Sequence, residues 1–255
     1  MTSNIWGDYF GNEVEIRDRK LYNTYKKYSP DIIGFQEVTE SWYRSEIMEK
    51  LAEEYTFVGT ERFSVLNYTP LVYKTERFSI FEKGWKYYTQ IDDKSKTITW
   101  AVLTDKENGK TFAVCNTHFW WMVGAEHDLI REQNRKELTA LMFDLKSKYN
   151  CPVFAFGDLN CDGTSDVFKK FRENGVTDLF DEAEKRQDIT SWHGDPVRGE
   201  DGKYHGEAEP DIPYIKSLDH IIGIGDYKVT NHAVVIDGDA LDASDHSPVY
   251  ADIEI

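Results

Sequence analysis

Cysteine is scarce in this 255-residue chain, and so is positive charge. Cys115, Cys151 and Cys161 lack the paired spacing of a zinc knuckle or a redox pair, so neither disulfides nor thiolate-bound metal organise the fold. Their neighbours (AVCNT, YNCPV, LNCDG) read as strands and strand ends, which makes them buried thiols. No stretch approaches the ~18 consecutive apolar residues of a membrane helix, so no transmembrane segment is expected. Lys and Arg total 30 against 46 Asp and Glu, a formal charge of -16. That excludes a broad electropositive surface wrapped around nucleic acid. A nucleic-acid substrate stays open, because a metal and a few local cations can hold one phosphate. Met1-Thr2-Ser3 carries neither the charged nor the apolar region of a signal peptide. Asn4 arrives almost without a preceding strand, which suggests a trimmed N-terminus. Cytoplasmic residence and secretion are both compatible with it.

What is present is a chain built for a core. Apolar residues make up 40% and aromatics 14%, which excludes disorder. The length suits one large α/β domain or two smaller ones, and no repeat, low-complexity tract or long linker divides it. Helices are expected over residues 12–28 (stopped by Ser29-Pro30), 39–54, 126–149 and 165–174. In the helix over 126–149, Leu129, Ile130, Leu138, Leu141, Met142 and Leu145 form the apolar face. Strands are expected at 31–38, 56–59, 71–73, 97–103, 111–116, 151–156, 218–224, 227–235 and 249–255. Asn108-Gly109 signals a hairpin turn, and residues 191–214 read as a long loop. Helices interleaved with strands buried on both faces predict two packed sheets with helices outside.

Polar side chains stand where apolar runs stop, the placement of an active site in a layered α/β protein. Glu37 ends the run Ile32–Gln36; it is either a strand-end acid reaching solvent or a hard-cation ligand. Gly157 lets the chain turn before Asp158 and Asn160, which fit an Asx turn or a site that orients water and holds a phosphoryl oxygen. His118 follows Asn116-Thr117 and precedes Phe119-Trp120-Trp121, surroundings that suit a packed histidine as well as a catalyst. His246 has Asp245 beside it in Ser244-Asp245-His246, and Asp219 can fix its tautomer and favour its protonated form. Lys and Arg residues do not cluster near these motifs.

The ordered set Asn4-Ile5, Gln36-Glu37, Asn116-Thr117-His118, Gly157-Asp158-Leu159-Asn160, Leu218-Asp219-His220 and Ser244-Asp245-His246 resembles the endonuclease/exonuclease/phosphatase superfamily. The lines around Ser191-Trp192-His193-Gly194 and Thr99-Trp100-Ala101 look most like bacterial members related to its deadenylase branch. The resemblance implies a four-layer α/β/β/α sandwich of two mixed sheets flanked by helices, as a single domain over residues 1–255. It implies that Glu37, Asn4 and Asp245 sit at a Mg²⁺ or Mn²⁺ site. Asp158 would align or deprotonate the attacking water, Asn160 would contact phosphate, Asp219 would orient His246, and His118 would bind or protonate the scissile group. His118 stands where abasic-site endonucleases carry tyrosine, and Trp6 where they carry an acid. Both departures count against abasic-site repair.

The expected reaction is metal-dependent hydrolysis of a phosphodiester by direct water attack, nuclease activity included. A phosphomonoesterase or a lipid phosphodiesterase on the same scaffold is the alternative, and a non-catalytic binding module is the second. The expected partner is a phosphoester substrate, nucleic acid or a small phosphodiester, with no partner protein evident. Specificity is expected in loops 62–70, 119–126 and 191–214, where Trp120, Trp121 and Trp192 either stack on bases or sugars or pack internally. His193 is a candidate substrate contact there, or a loop hydrogen bond.

Overall fold

A computed structural model describes residues 1–59 and 67–255. The expected specificity loop at 62–70 falls largely outside the described residues. The chain begins with β1 (Thr2–Asn4), α1 (Val14–Tyr28), β2 (Ile32–Gln36), α2 (Glu40–Tyr43) and α3 (Glu46–Glu54). Next come β3 (Tyr55–Val58), β4 (Leu71–Lys74), β5 (Phe78–Tyr87), β6 (Thr97–Asp105), β7 (Thr111–His118) and α4 (Ala125–Tyr149). β8 (Val153–Asp158), α5 (Asp166–Glu173), β9 (Thr177–Asp178), α6 (Leu179–Glu182) and β10 (Lys185–Arg186) follow. The last third holds β11 (Val197–Arg198), β12 (Tyr204–His205), β13 (Asp219–Ile224), β14 (Lys228–Val234), α7 (Gly238–Ala243) and β15 (Val249–Glu254).

Two mixed sheets form the centre. One runs β10-β14-β15-β1-β2-β4-β3 and the other β5-β6-β7-β8-β13-β9. Three apolar clusters define the layers. Leu71, Leu103, Val114, Phe156, Ile221 and Val249 fill the space between the sheets. Leu21 and Tyr25 of α1, with Ile47 and Leu51 of α3, cover the outer face of the first sheet. Leu138 and Met142 of α4, with Phe168 and Phe171 of α5, cover the second. The architecture is thus the expected α/β/β/α sandwich, and β8 is buried along its whole length because both its faces are covered.

Close approach of the sheets is built in locally. A Cβ on Gly34 would come within 2.3 Å of the Phe156 ring and 2.5 Å of Asn116 Oδ1. Asn116 in turn spans the gap: its Nδ2 donates to the carbonyls of Phe35, Thr69 and Pro70, and its Oδ1 accepts from Gln36 Nε2 at 2.6 Å. Two motif residues therefore pin one sheet to the other.

Several sequence expectations need correction. The helix expected over 39–54 is two helices, because Ser45 takes an extended conformation between them and turns its hydroxyl back to the Trp42 carbonyl. Leu129 is not on the buried face of α4 but 72% exposed; Arg131, Asn134 and Arg135 lie on that face instead. Strand β5 was not expected. The loop at 191–214 contains the short β11–β12 hairpin. Asn108-Gly109 does close the β6–β7 hairpin, with Gly109 at φ 73° and its N–H on the Asp105 carbonyl.

Candidate active site

Strand register brings the motifs together at one end of the sandwich. The parallel β7–β8 pair sets His118 beside Asp158, and the antiparallel β8–β13 pair sets Asp158 opposite Asp219. In the other sheet the parallel β1–β2 pair aligns Asn4 with Gln36, which leaves Glu37 just beyond the strand end. His246 precedes β15 and forms a bridge with Trp192. Glycine is required at 157: φ is 153°, and a Cβ would lie 1.9 Å from the Thr117 carbonyl oxygen. Only a bare backbone lets Asp158 end its strand this close to His118.

Asp158 is the hub. Its Oδ2 accepts from Asn4 Nδ2 at 3.1 Å and lies 3.3 Å from His118 Nε2 and 3.9 Å from His246 Nε2. Its Oδ1 accepts the Asn160 backbone N–H at 2.8 Å. Burial alone would raise this carboxyl, but His118, His246 and Lys96 together hold it well below the usual carboxylate range. Asp158 is ionised at any working pH.

His246 is the opposite pole. Its Nδ1 lies 2.7 Å from Asp219 Oδ2, an oxygen that also accepts from Ser191 Oγ at 2.7 Å. Burial opposes the charged ring, but Asp219, Asp245 and Asp158 outweigh it and push the imidazole well above its ordinary value. The ring is therefore an imidazolium, with Nδ1–H donated to Asp219 and Nε2–H turned toward Asp158 and Asp245.

Glu37 and Asn4 adjoin Asp158, and Asp245 Oδ2 lies 3.9 Å from His246 Nε2. Glu37 Oε1 accepts from Asn4 Nδ2 at 3.1 Å and its Oε2 from the Gly7 N–H at 2.8 Å. Its backbone sits at φ 64°, the left-handed region that costs a branched or bulky residue about 1 kcal/mol or more. Asn4 bridges both acids through its nitrogen, while its Oδ1 accepts from the Trp6 N–H. Burial pushes the Asp245 carboxyl up to about 7, with Glu37, Asp195 and Asp158 adding to the rise and His246 opposing it.

A divalent cation suits this second group better than the first. Asp158, Asp219 and His246 do place one atom each within 4.8 Å of one another. Yet His246 has no free lone pair as an imidazolium, and Asp219 Oδ2 already accepts two hydrogen bonds. Around Glu37 and Asp245 the donors are oxygens, the set a hard cation takes, and burial, with the neighbouring acids adding to it, pushes Asp245 up to about 7.

Asn160 sits at φ 48° and its Nδ2 donates to the Phe119 carbonyl at 3.1 Å. His193 is also at this end: its backbone N–H donates to the Asp245 carbonyl, and burial, with His246 nearby, lowers its ring to about 4. Its Nδ1 accepts from the Glu209 N–H at 3.1 Å, so the neutral ring carries its hydrogen on Nε2. That Nε2 is buried with no partner among the described residues, as is Asp219 Oδ1. Trp192 is 45% and Trp121 58% exposed, whereas Trp120 donates Nε1–H to His127.

Two basic residues escaped the sequence reading. Arg17 on α1 is fully buried and donates to the carbonyls of Ile5, Trp6, Asn12 and Ala243. It ties the loop after Asn4 to the segment leading into Ser244-Asp245-His246, and Ser244 Oγ adds a bond to the Asn4 carbonyl at 2.8 Å. Lys96, 4% exposed, places Nζ 2.8–3.0 Å from the His118 ring nitrogens. Lys and Arg do not cluster near the motifs in sequence, yet the fold brings these two to the site. Neither residue stands near a motif in sequence; only helix docking and strand register put them there.

The model of the endonuclease/exonuclease/phosphatase family matches residues 1–246. The chain belongs to that family. No curated protein matches it. Among solved structures, a mannosyl-6-phosphatase of Bacteroides thetaiotaomicron is 20% identical with a TM-score of 0.76, covering 100% of this chain and 98% of that one. A family member from Bacteroides vulgatus is 23% identical with a TM-score of 0.76, covering 100% and 97%. The human Nocturnin catalytic domain with bound sulfate is 17% identical with a TM-score of 0.72, covering 99% and 92%. These likenesses are ones of fold. Within the family fold, the buried acids and histidines at one sheet end belong to a phosphoesterase scaffold.

Proposed function

We propose that the protein is a divalent-metal-dependent phosphoesterase that cleaves its bond by direct attack of water, the whole chain acting as one domain. The observation that carries this reading is the pairing, 3.9 Å apart, of an ionised Asp158 and an imidazolium His246. One orients and deprotonates a water and the other meets the charge that develops on phosphorus-bound oxygen. Asp219 and Ser191 hold His246 in its tautomer. Asn160 and His118 contact the phosphoryl group, and the unpartnered Nε2–H of His193 contacts a substrate oxygen. Glu37 and Asp245, with Asn4 bracing Glu37, hold Mg²⁺ or Mn²⁺. When bound, that ion supplies Lewis-acid neutralisation of phosphoryl charge. No serine or cysteine nucleophile is required.

The phosphodiester reading, nuclease included, and the monoester alternative share this chemistry. A long polynucleotide is disfavoured by the charge of -16 and by Asp93 and Asp195 close to the site. Hydrolysis of bis-p-nitrophenyl phosphate and p-nitrophenyl phosphate, with chelator and then with Mg²⁺ or Mn²⁺ restored, tests the proposal. Activity is expected only with metal, and Asp158→Ala is expected to lower turnover by at least about 100-fold. Turnover within a few-fold of the parent would remove Asp158 from its role.

A further inference from the structure

We propose that Lys96 is a specificity residue that binds a non-bridging phosphoryl oxygen and biases the cleft toward the dianionic phosphate of a small phosphomonoester. The inference rests on the phosphoesterase reading and deepens it.

Lys96 immediately precedes β6, and the register Ile98↔Thr117 carries it to the end of β7, where His118 stands. Its Nζ lies 3.0 Å from His118 Nδ1 and 2.8 Å from Nε2. A neutral imidazole has one acceptor nitrogen, so only one of the three ammonium hydrogens is used there. Nε2 also faces Asp158 Oδ2 at 3.3 Å. One ring nitrogen accepts from Lys96, which keeps two ammonium hydrogens unspent.

No carboxylate among the described residues pairs with this ammonium, although Glu37, Asp158 and Asp93 act on it from farther off. A buried cation without a partner opposes folding. A phosphate oxygen in the cleft would supply the missing counter-charge. Glu37, Asp158, Asp219 and Asp245 repel an anion, and Lys96 adds to His246 a second positive group that favours extra negative charge on the substrate. A monoester carries nearly two charges at neutral pH and a diester one, and a charge-assisted bond to the former is the stronger. The acidic surroundings, Asp93 and Asp195 included, suit a small body behind that phosphate rather than a polyanion.

The test compares p-nitrophenyl phosphate with bis-p-nitrophenyl phosphate in the metal-loaded parent, Lys96→Gln, Lys96→Met and Lys96→Arg. Circular dichroism confirms that each variant folds. The parent is expected to prefer the monoester; Gln and Met are expected to lower kcat/KM about 100-fold on the monoester but no more than about tenfold on the diester, with Arg restoring most of the ratio. Inhibition by inorganic phosphate is expected to weaken in parallel, and inhibition by diethyl phosphate to change little. Equal losses on both esters, or a parent that cleaves only the diester, overturn the assignment and leave the phosphoesterase reading standing. A parent inert toward both esters with every metal removes that reading instead. Calorimetric binding of inorganic phosphate then judges Lys96 alone: binding weakened in Lys96→Gln supports it, and equal binding sinks it.

Discussion

Strands β7 and β8 begin at one end of the sandwich and finish at the other, and the two ends differ in kind. At the start, Phe112 and Phe154 line a cavity of about 520 Å³ between the sheets. Arg77 at its mouth is paired to Asp31 and Asp105. At the finish, His118 and Asp158 stand beside Asp219, Asp245 and His246. At the roomy end Arg77 is paired, and burial lowers the Met1 amino group to about 5. The other end keeps one acid ionised, a second half-protonated and a buried lysine with no ion-pair partner among the described residues. Concavity points to one end and unresolved electrostatics to the other. Because reactivity needs perturbed groups rather than space, the second signal decides.

Reciprocal substitutions break or sharpen this contrast most strongly. His246→Ala is expected to lower turnover by at least about 100-fold, measured well below its melting point. Phe112→Ala, at the far end, is expected to cost about 3 kcal/mol of stability and leave turnover within about twofold at a temperature well below melting. Chemical denaturation and steady-state kinetics on both proteins check the pair. A large turnover loss in the Phe112 variant would mean the ends are not independent.

The Asp245 carboxyl sharpens it next. Its folded value of about 7 stands above the ordinary 3.8, so the stability it contributes is complete at acid pH and is lost as pH rises through 7. Metal-stripped protein is therefore expected to weaken on the order of 3 kcal/mol between pH ~4 and ~8 from this group alone. His246, raised in the same direction, adds a loss of the same sign at higher pH. Asp245→Asn should flatten the acid-side part of the profile, and added Mg²⁺ or Mn²⁺ should stabilise the parent most at the alkaline side. Melting curves across that range, with chelator and with metal, read both effects. A flat profile for the stripped parent would refute the assignment. The smallest effect is at Ser191. Ser191→Ala removes one hydrogen bond to Asp219 and should cost about 1 kcal/mol, or roughly fivefold in turnover, measured as kcat at saturating substrate.

Most of this was legible in the chain. The long apolar runs at β2, β8 and β13 marked the central strands, and the polar residues that end them are the ones that converge. What stayed hidden has physical reasons. Strand β5 alternates buried and exposed positions, carries Glu82, Lys83 and Lys86, and has a register shift between Ile80 and Glu82. An edge strand of that kind looks like a polar loop. Helix α7 (GDALDA) is too short to show periodicity. Lys96 and Arg17 were invisible for a different cause. Lys96 meets His118 from 22 positions away and Arg17 reaches Ala243 from 226, proximities that no local pattern contains. The Asn116 and Gln36 side chains were grouped with the site by motif but bind the sheets together instead.

Glu37 holds its carboxylate in place from a backbone conformation that glycine or asparagine would adopt with less strain. A laboratory lineage enriched only for heat resistance will drift toward those residues at position 37 and finish as durable but inert protein. Any screen for hardier versions of this chain has to score hydrolysis and melting in the same round.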